Sequence, residues 1–267
     1  MKTAGKISLL ILLAISLVSL FAPVITGYNP DRIDLDSLRE PPGFQHILGT
    51  DNKGRDILSR ILYGGRISMS IALSAATVSM AIGLFIGLIS GYFGGKTDTV
   101  LMALVDLILS FPTLLLAIGI SILLPPGIYT VMIAIVAVGW ASFARLIRGY
   151  ILSLKESTFI EAAKALGCSH KRILLVPLLP QCIPLLLVMM GMRIGGYIIT
   201  EASLSFLGLG AQPPTATWGS MINANRAYIT TAPWTVFSPG FMIALTALSF
   251  NILGDSLQEK YGLKIRG

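Results

Sequence analysis

The chain is poor in charge, in thiols and in imidazoles. Asp, Glu, Lys and Arg make up only 12% of its 267 residues, about half of what a soluble domain carries, while 54% are hydrophobic and mean hydropathy is +0.78. An ordinary water-soluble domain is thereby excluded, and an all-α polytopic membrane protein is expected. Two cysteines, Cys168 and Cys182, cannot build a disulfide framework, and facing a reducing compartment they read as small apolar fillers. The two histidines, His46 and His170, lie outside the apolar runs, which argues against a dedicated metal cage. The net charge of +7 is spread over loops without interleaved aromatics, so nucleic-acid binding is not indicated. A phosphate-binding loop is also missing. SGYFGGKT, Ser90 to Thr97, approaches G-x-x-x-x-G-K-T, but serine stands at position 90 and no strand precedes it. This chain is therefore not expected to bind ATP or any other cofactor itself.

What is present is a series of apolar runs at 7–25, 67–91, 100–124, 128–147, 183–204 and 237–253, each near the roughly 20 residues that cross a bilayer. The first follows Lys2 and Lys6 like a secretory signal, but no A-x-A site closes it, and a retained helix is the better reading. About six spans place both termini on one side. Lys96, Arg145, Arg148, Lys155, Lys164, Lys171, Arg172 and Lys260 then collect on the side of the termini, which the positive-inside rule makes cytoplasmic. The expected organisation is an N-terminal helix with an outer loop (1–66), a permease core (67–257) and a short cytoplasmic tail (258–267). In the outer loop Asp51, Lys53, Arg55, Asp56 and Arg60 alternate in sign, and Ile57, Ile61 and Leu62 can lay an apolar stripe on the membrane surface.

Between the fourth and fifth runs lies a charged, kinked stretch, Glu161 to Pro180, inside a loop covering 151–181. Thr158 and Glu161 have the spacing of a capping box, so a short helix is expected to begin at Thr158. Gly167 can end it, Ser169 can cap a second helix, and Pro177 and Pro180 are expected to stop that one. Composition alone would allow an ordinary cytoplasmic loop. The order Glu161-Ala162-Ala163, three residues, Gly167, then Leu179-Pro180 resembles the EAA loop of ABC-importer permeases, with Pro177 where many members carry Ile. GTDNKGRD at 49–56, SFLGLG at 205–210 and Asn251-x-x-Gly254-Asp255 are similar to the second-type permease (C subunit) of the dipeptide, oligopeptide and nickel importers.

That resemblance implies a type I ABC importer permease fold with a cytoplasmic coupling helix, in a bacterial or archaeal inner membrane. It assigns ATPase coupling to Glu161, Ala162, Ala163, Lys164, Gly167, Leu179 and Pro180. It further implies a transport subunit with no catalysis of its own, a homologous permease partner, two ATP-binding subunits holding ATP and magnesium, and an extracytoplasmic binding protein. The cargo would be nickel, free or chelated, or di- and oligopeptides; the short N-terminal segment leans toward nickel.

Ala75, Ser79, Gly83, Gly87 and Gly91 recur every four residues and make one small face for close helix packing, a device repeated by Gly191 and Gly195. Asp106, Arg193 and Glu201 fall within or near spans, either lining a path or serving as structural partners, the second being preferred. Trp218, after Pro213 and Pro214, suits the membrane interface. Two rival classes remain: an ion-gradient transporter or channel without an ATPase, which would want a mid-membrane carboxylate such as Asp106 or Glu201, and a membrane scaffold.

Overall fold

The computed structural model describes residues 3–261. These form helices, turns and one isolated bridge, Thr50 to Asp56. Helix α1 (Thr3–Leu20) is followed by one turn, α2 (Ala22–Ile25), and by the outer loop. Helix α3 (Ile57–Phe93) has 37 residues, about 55 Å at 1.5 Å per residue, longer than a bilayer core. No proline interrupts it, and Asp56 starts it by accepting the Ser59 N–H at 2.7 Å. It runs unbroken across position 66, where a boundary between outer loop and core was expected.

The third apolar run is not one straight span. It is divided into α4 (Gly95–Leu109) and α5 (Thr113–Ile122), bent by 88° across Ser110, Phe111 and Pro112. Pro112 lacks an N–H and pushes Phe111 out of helical angles, so the helix ends there. Helix α6 (Ile128–Leu154) leads to α7 (Thr158–Ala165) and α8 (His170–Ile173). Then come α9 (Leu179–Phe206), the short α10 (Trp218–Asn225) and α11 (Trp234–Lys260). Among the described residues five helices are long and apolar enough to span, or six if the bent pair counts as one.

Two expectations are corrected here. Pro177 and Pro180 do not stop the helix after Ser169: residues His170–Phe206 run as one helical stretch. A wide turn at Leu174–Leu178, closed by the Leu179 N–H on the Leu174 carbonyl, absorbs Pro177, and Pro180 sits in the first turn of α9, where a missing N–H costs little. Likewise Ile57, Ile61 and Leu62 do not lie on a membrane surface. They are 0%, 2% and 7% exposed, packed under α2 and α10 at the start of α3. The charges beside them are paired: Arg55 Nε to Asp51 at 2.7 Å, both buried, His46 to buried Asp56 at 2.9 Å, and buried Arg60 to exposed Asp31 at 3.1 Å. Asn52 ties this loop to α10 through the Asn225 side chain, and Trp234 Nε1 ties it to α11 through the Thr50 carbonyl.

The small-residue face does what its spacing predicts. A Cβ on Gly83 would stand 2.4 Å from the Phe143 Cβ and 2.7 Å from the Trp140 carbonyl, and one on Gly87 would stand 2.7 Å from the Ala144 carbonyl. Gly91 is held the same way against Ile151 and the Arg148 carbonyl. Helices α3 and α6 therefore touch backbone to backbone, the geometry that drives association in lipid. Gly191 against Gly254, and Gly195 against the Ala247 carbonyl, bring α9 and α11 together in the same manner.

Candidate functional site

The elbow is built on Ser157, not on Thr158. Ser157 takes the N-cap position, its hydroxyl donates back to the Leu154 carbonyl, and no side-chain cap forms, so the expected Thr158/Glu161 box is absent although α7 does begin at Thr158. Gly167, at φ +72°, ends α7 as the sequence implies. The Cys168 N–H reaches the Ala163 carbonyl at 3.1 Å and the Gly167 N–H reaches the Lys164 carbonyl at 2.9 Å, a paired C-terminal lock. Ser169 caps α8 by accepting the Arg172 N–H at 3.4 Å.

One side of this elbow is fastened to the bundle. Ile160 is 0% and Ile173 is 1% exposed, both in a core with Phe143, Ile147, Ile151, Leu178, Cys182 and Leu185. His170 Nδ1 meets the Tyr92 hydroxyl at 2.8 Å, and the Tyr92, Phe93 and His170 rings cluster at the end of α3. Beneath the elbow Arg148 grips Asp98 with two bonds, 2.7 Å and 2.6 Å, while the Ser90 hydroxyl donates to the same carboxylate. Three helices are thereby clamped at one end.

The opposite side of the elbow is open. Glu161, Ala162, Lys164 and Gly167 are exposed, with Ala163 half-buried. Phe159 and Leu166 stand out at 41% and 83% exposure, and with Ala162 they form an apolar stripe at i, i+3, i+7 on a helix otherwise edged with charge. Sequence reasoning missed Phe159, Leu166 and the Asp98 clamp. The stripe was legible in that spacing; the clamp joins residues 50 positions apart and leaves no local signal. Leu179 and Pro180 lie apart from α7, on the first turn of α9.

The three ionisable residues of the spans are not brought together. Asp106 on α4 is exposed and paired with Arg145 of α6. Glu201 is wholly buried on α9, its Oε1 accepting the Ser205 hydroxyl at 2.8 Å while Oε2 has no hydrogen-bond partner among the described residues. The Ser68 and Thr217 hydroxyls lie beside it. Arg193 is exposed at the middle of α9 and makes no ion pair among the described residues. Trp218, expected at the membrane interface, is instead 0% exposed, its indole N–H donating to the Ile61 carbonyl at 3.0 Å, because Gly219 lets α10 press directly on Ala202.

A bundle of membrane-length helices interrupted by a fastened, one-sided elbow has the architecture of an ABC importer permease. A chain of the inward-facing MetNI methionine ABC transporter superposes with TM-score 0.62 at 17% identity, over 76% of this chain and 97% of that one. A chain of an amino acid ABC transporter solved with histidines gives 0.55 at 20% identity, over 76% and 94%. Residues 83–267 match the model for a binding-protein-dependent transport system inner membrane component, and residues 2–42 match the N-terminal TM domain of oligopeptide transport permease C. The chain belongs to the family of binding-protein-dependent transport system inner membrane components, and is a permease subunit. Among its relatives are the glutathione transport permease GsiD of Escherichia coli (43% identical over 97% of this chain and 86% of the relative). The dipeptide permease DppC of Alkalihalophilus pseudofirmus is 38% identical over 97% and 86%. The oligopeptide permease OppC of Bacillus subtilis is 37% identical over 98% and 86%.

Proposed function

We propose that this permease carries peptides, from dipeptides to short oligopeptides or glutathione, delivered by an extracytoplasmic binding protein. In this reading it pairs with a homologous permease above two ATP-binding subunits, which hold the ATP and magnesium. The relatives named for dipeptide, oligopeptide and glutathione transport support peptide over nickel. The elbow faces the cytoplasm together with both termini, consistent with the basic residues around it.

The observation that carries the coupling role is the division of α7 into a fastened side, Ile160, and an open apolar stripe, Phe159, Ala162 and Leu166. A short helix held by one buried anchor while presenting two large apolar side chains is suited to sit in a groove of another polypeptide. Glu161 and Lys164 edge that stripe and set its orientation in the groove. Closure of the ATP-binding subunits would push α7. Because α8 continues through the wide turn into α9, the push would be delivered along one helical stretch toward the outer side. Nucleotide state biases the path only through such differential contact.

Reconstitution of the full importer in vesicles tests both halves. ATP-dependent uptake of a dipeptide or of glutathione, with nickel uptake at background, is the expected result. Nickel uptake without peptide uptake overturns the cargo, and uptake indifferent to ATP overturns the coupling.

A further inference from the structure

Helix α9 is packed by α11, α3, α10 and α6. One face stays open. Arg193, Gly196, Thr200, Ser203 and Leu207 recur at steps of three and four, so they share that face, and all are exposed or half-exposed. A side chain added at Gly196 would meet nothing within 4 Å, so the space beside Arg193 is free. The two hydroxyls of the stripe satisfy themselves along the helix: Thr200 donates to the Gly196 carbonyl at 3.0 Å and Ser203 to the Ile199 carbonyl at 2.8 Å. The one charged group on this stripe, the Arg193 guanidinium, makes no ion pair among the described residues.

A cation at that depth is unfavourable against lipid, so the face it occupies meets water, cargo or protein. Arg193 lies near the middle of the 28-residue α9, too far from either end to reach the headgroups by extending its side chain. Arg145 and Arg148 of α6 are answered by Asp106 and Asp98, and Arg66, also exposed and without an ion pair among the described residues, stands within three turns of the start of α3, over the Tyr63 ring.

We propose that Arg193 is a specificity-determining residue of the translocation path, holding the free carboxylate of the passing peptide. The inference rests on the peptide reading above. Charge complementarity selects this occupant: every unmodified peptide carries a terminal carboxylate at neutral pH, and a guanidinium binds it through two parallel N–H donors. Gly196, one turn along, leaves room for the carboxylate to approach. A single such contact, with no second cation on the stripe, gives a hold strong enough to select and weak enough to release.

The test is uptake of a free-acid tripeptide by the complete importer in vesicles, measured alongside ATP hydrolysis, for wild type, Arg193→Gln and Arg193→Lys. Arg193→Gln is expected to lower peptide taken up per ATP hydrolysed about tenfold or more, the scale of one charge-assisted hydrogen-bonded contact. Arg193→Lys, which keeps the charge but not the fork, is expected to recover part of the loss. Wild-type coupling in Arg193→Gln overturns the proposal. So does failure of that variant to retain its paired permease on purification, which would make Arg193 a subunit-interface residue. If the wild-type importer takes up no peptide, the cargo reading and this inference fall together. If it does and Arg193→Gln matches it, only the inference falls.

Discussion

Replacing Ile160 by alanine should release the elbow without disturbing the spans. Ile160 is 0% exposed and sits in a core formed mainly by α3, α6 and α9, whereas the rest of α7 is exposed apart from half-buried Ala163. Truncating a buried isoleucine to alanine costs about 2 to 5 kcal/mol, from lost transfer energy and from the cavity left behind. An eight-residue helix is marginal alone in water. Most of its free energy of docking must therefore come from this one anchor and from the cap at Gly167. A loss of even about 2 kcal/mol moves the docked-to-open ratio by a factor on the order of 30. Hydrogen exchange of the amides of residues 160–168, measured on the purified permease in nanodiscs, should accelerate by at least that factor, while amides in the middle of α3 and α6 keep their protection. In the reconstituted importer the same variant should hydrolyse ATP with little uptake. Unchanged exchange in α7 would refute the reasoning, because it would mean that the elbow is held by something other than Ile160. Leu166→Ala is the control: Leu166 is 83% exposed, so its truncation should leave exchange in the isolated permease unchanged and weaken only retention of the ATP-binding subunits.

Other perturbations probe the supports of the same site. Gly83→Ala places a methyl carbon 2.7 Å from the Trp140 carbonyl, a backbone atom that cannot turn away, so α3 and α6 must separate; a cost of about 1 to 3 kcal/mol is expected, read as a lower midpoint of thermal unfolding in detergent. Gly87→Ala should behave alike, and Gly119→Ala, where nothing lies within 4 Å, should not. Asp98→Asn removes the charge from a two-bond contact with Arg148 that is partly shielded from solvent; about 1 to 2 kcal/mol is expected, with Arg148→Gln adding little in the double variant. Gly167→Ala keeps open space around the new carbon but forces it to φ +72°, costing about 1 kcal/mol, and should raise exchange at Cys168 first.

The helical class, the approximate number of spans and the small face of α3 were legible because each is a repeated signal. Apolar runs of membrane length and glycines every fourth position say the same thing many times over, and Gly83, Gly87 and Gly91 meet α6 as their spacing requires. Gly167 and Ser169 were legible for another reason: a left-handed backbone and a cap are strictly local demands. The errors came where local chemistry was overruled by its surroundings. Ser157, not Thr158, stands at the N-cap, and its hydroxyl is turned back to the Leu154 carbonyl at the end of α6, so no side-chain cap forms. Ile57, Ile61 and Leu62 read as a surface stripe since nothing in their own sequence reveals that α2 and α10 come down on them. Trp218 was misplaced by the same blindness, its partner Ile61 lying 157 positions earlier.

The prolines of the elbow matter most for function. Read locally, Pro177 and Pro180 separate a cytoplasmic loop from a span, and a push on the loop would then be lost in a hinge. The wide turn at Leu174–Leu178 removes that hinge by spending one extra residue per bond, so His170–Phe206 forms a single stretch of 37 residues, about 55 Å long. Its outer end is not free, because Gly219 of α10 presses on Ala202, and its middle is locked to α11 at Gly191 and Gly195. Packed interiors of this density transmit displacement and do not absorb it. A movement of α8 by an outside partner must then carry α10 and α11 with it, unless the wide turn itself yields. Restoring ordinary helix geometry with Pro177→Ala separates the two possibilities: a rod that relies on its stiffness keeps or improves uptake per ATP hydrolysed, whereas a turn that must flex in each cycle loses it.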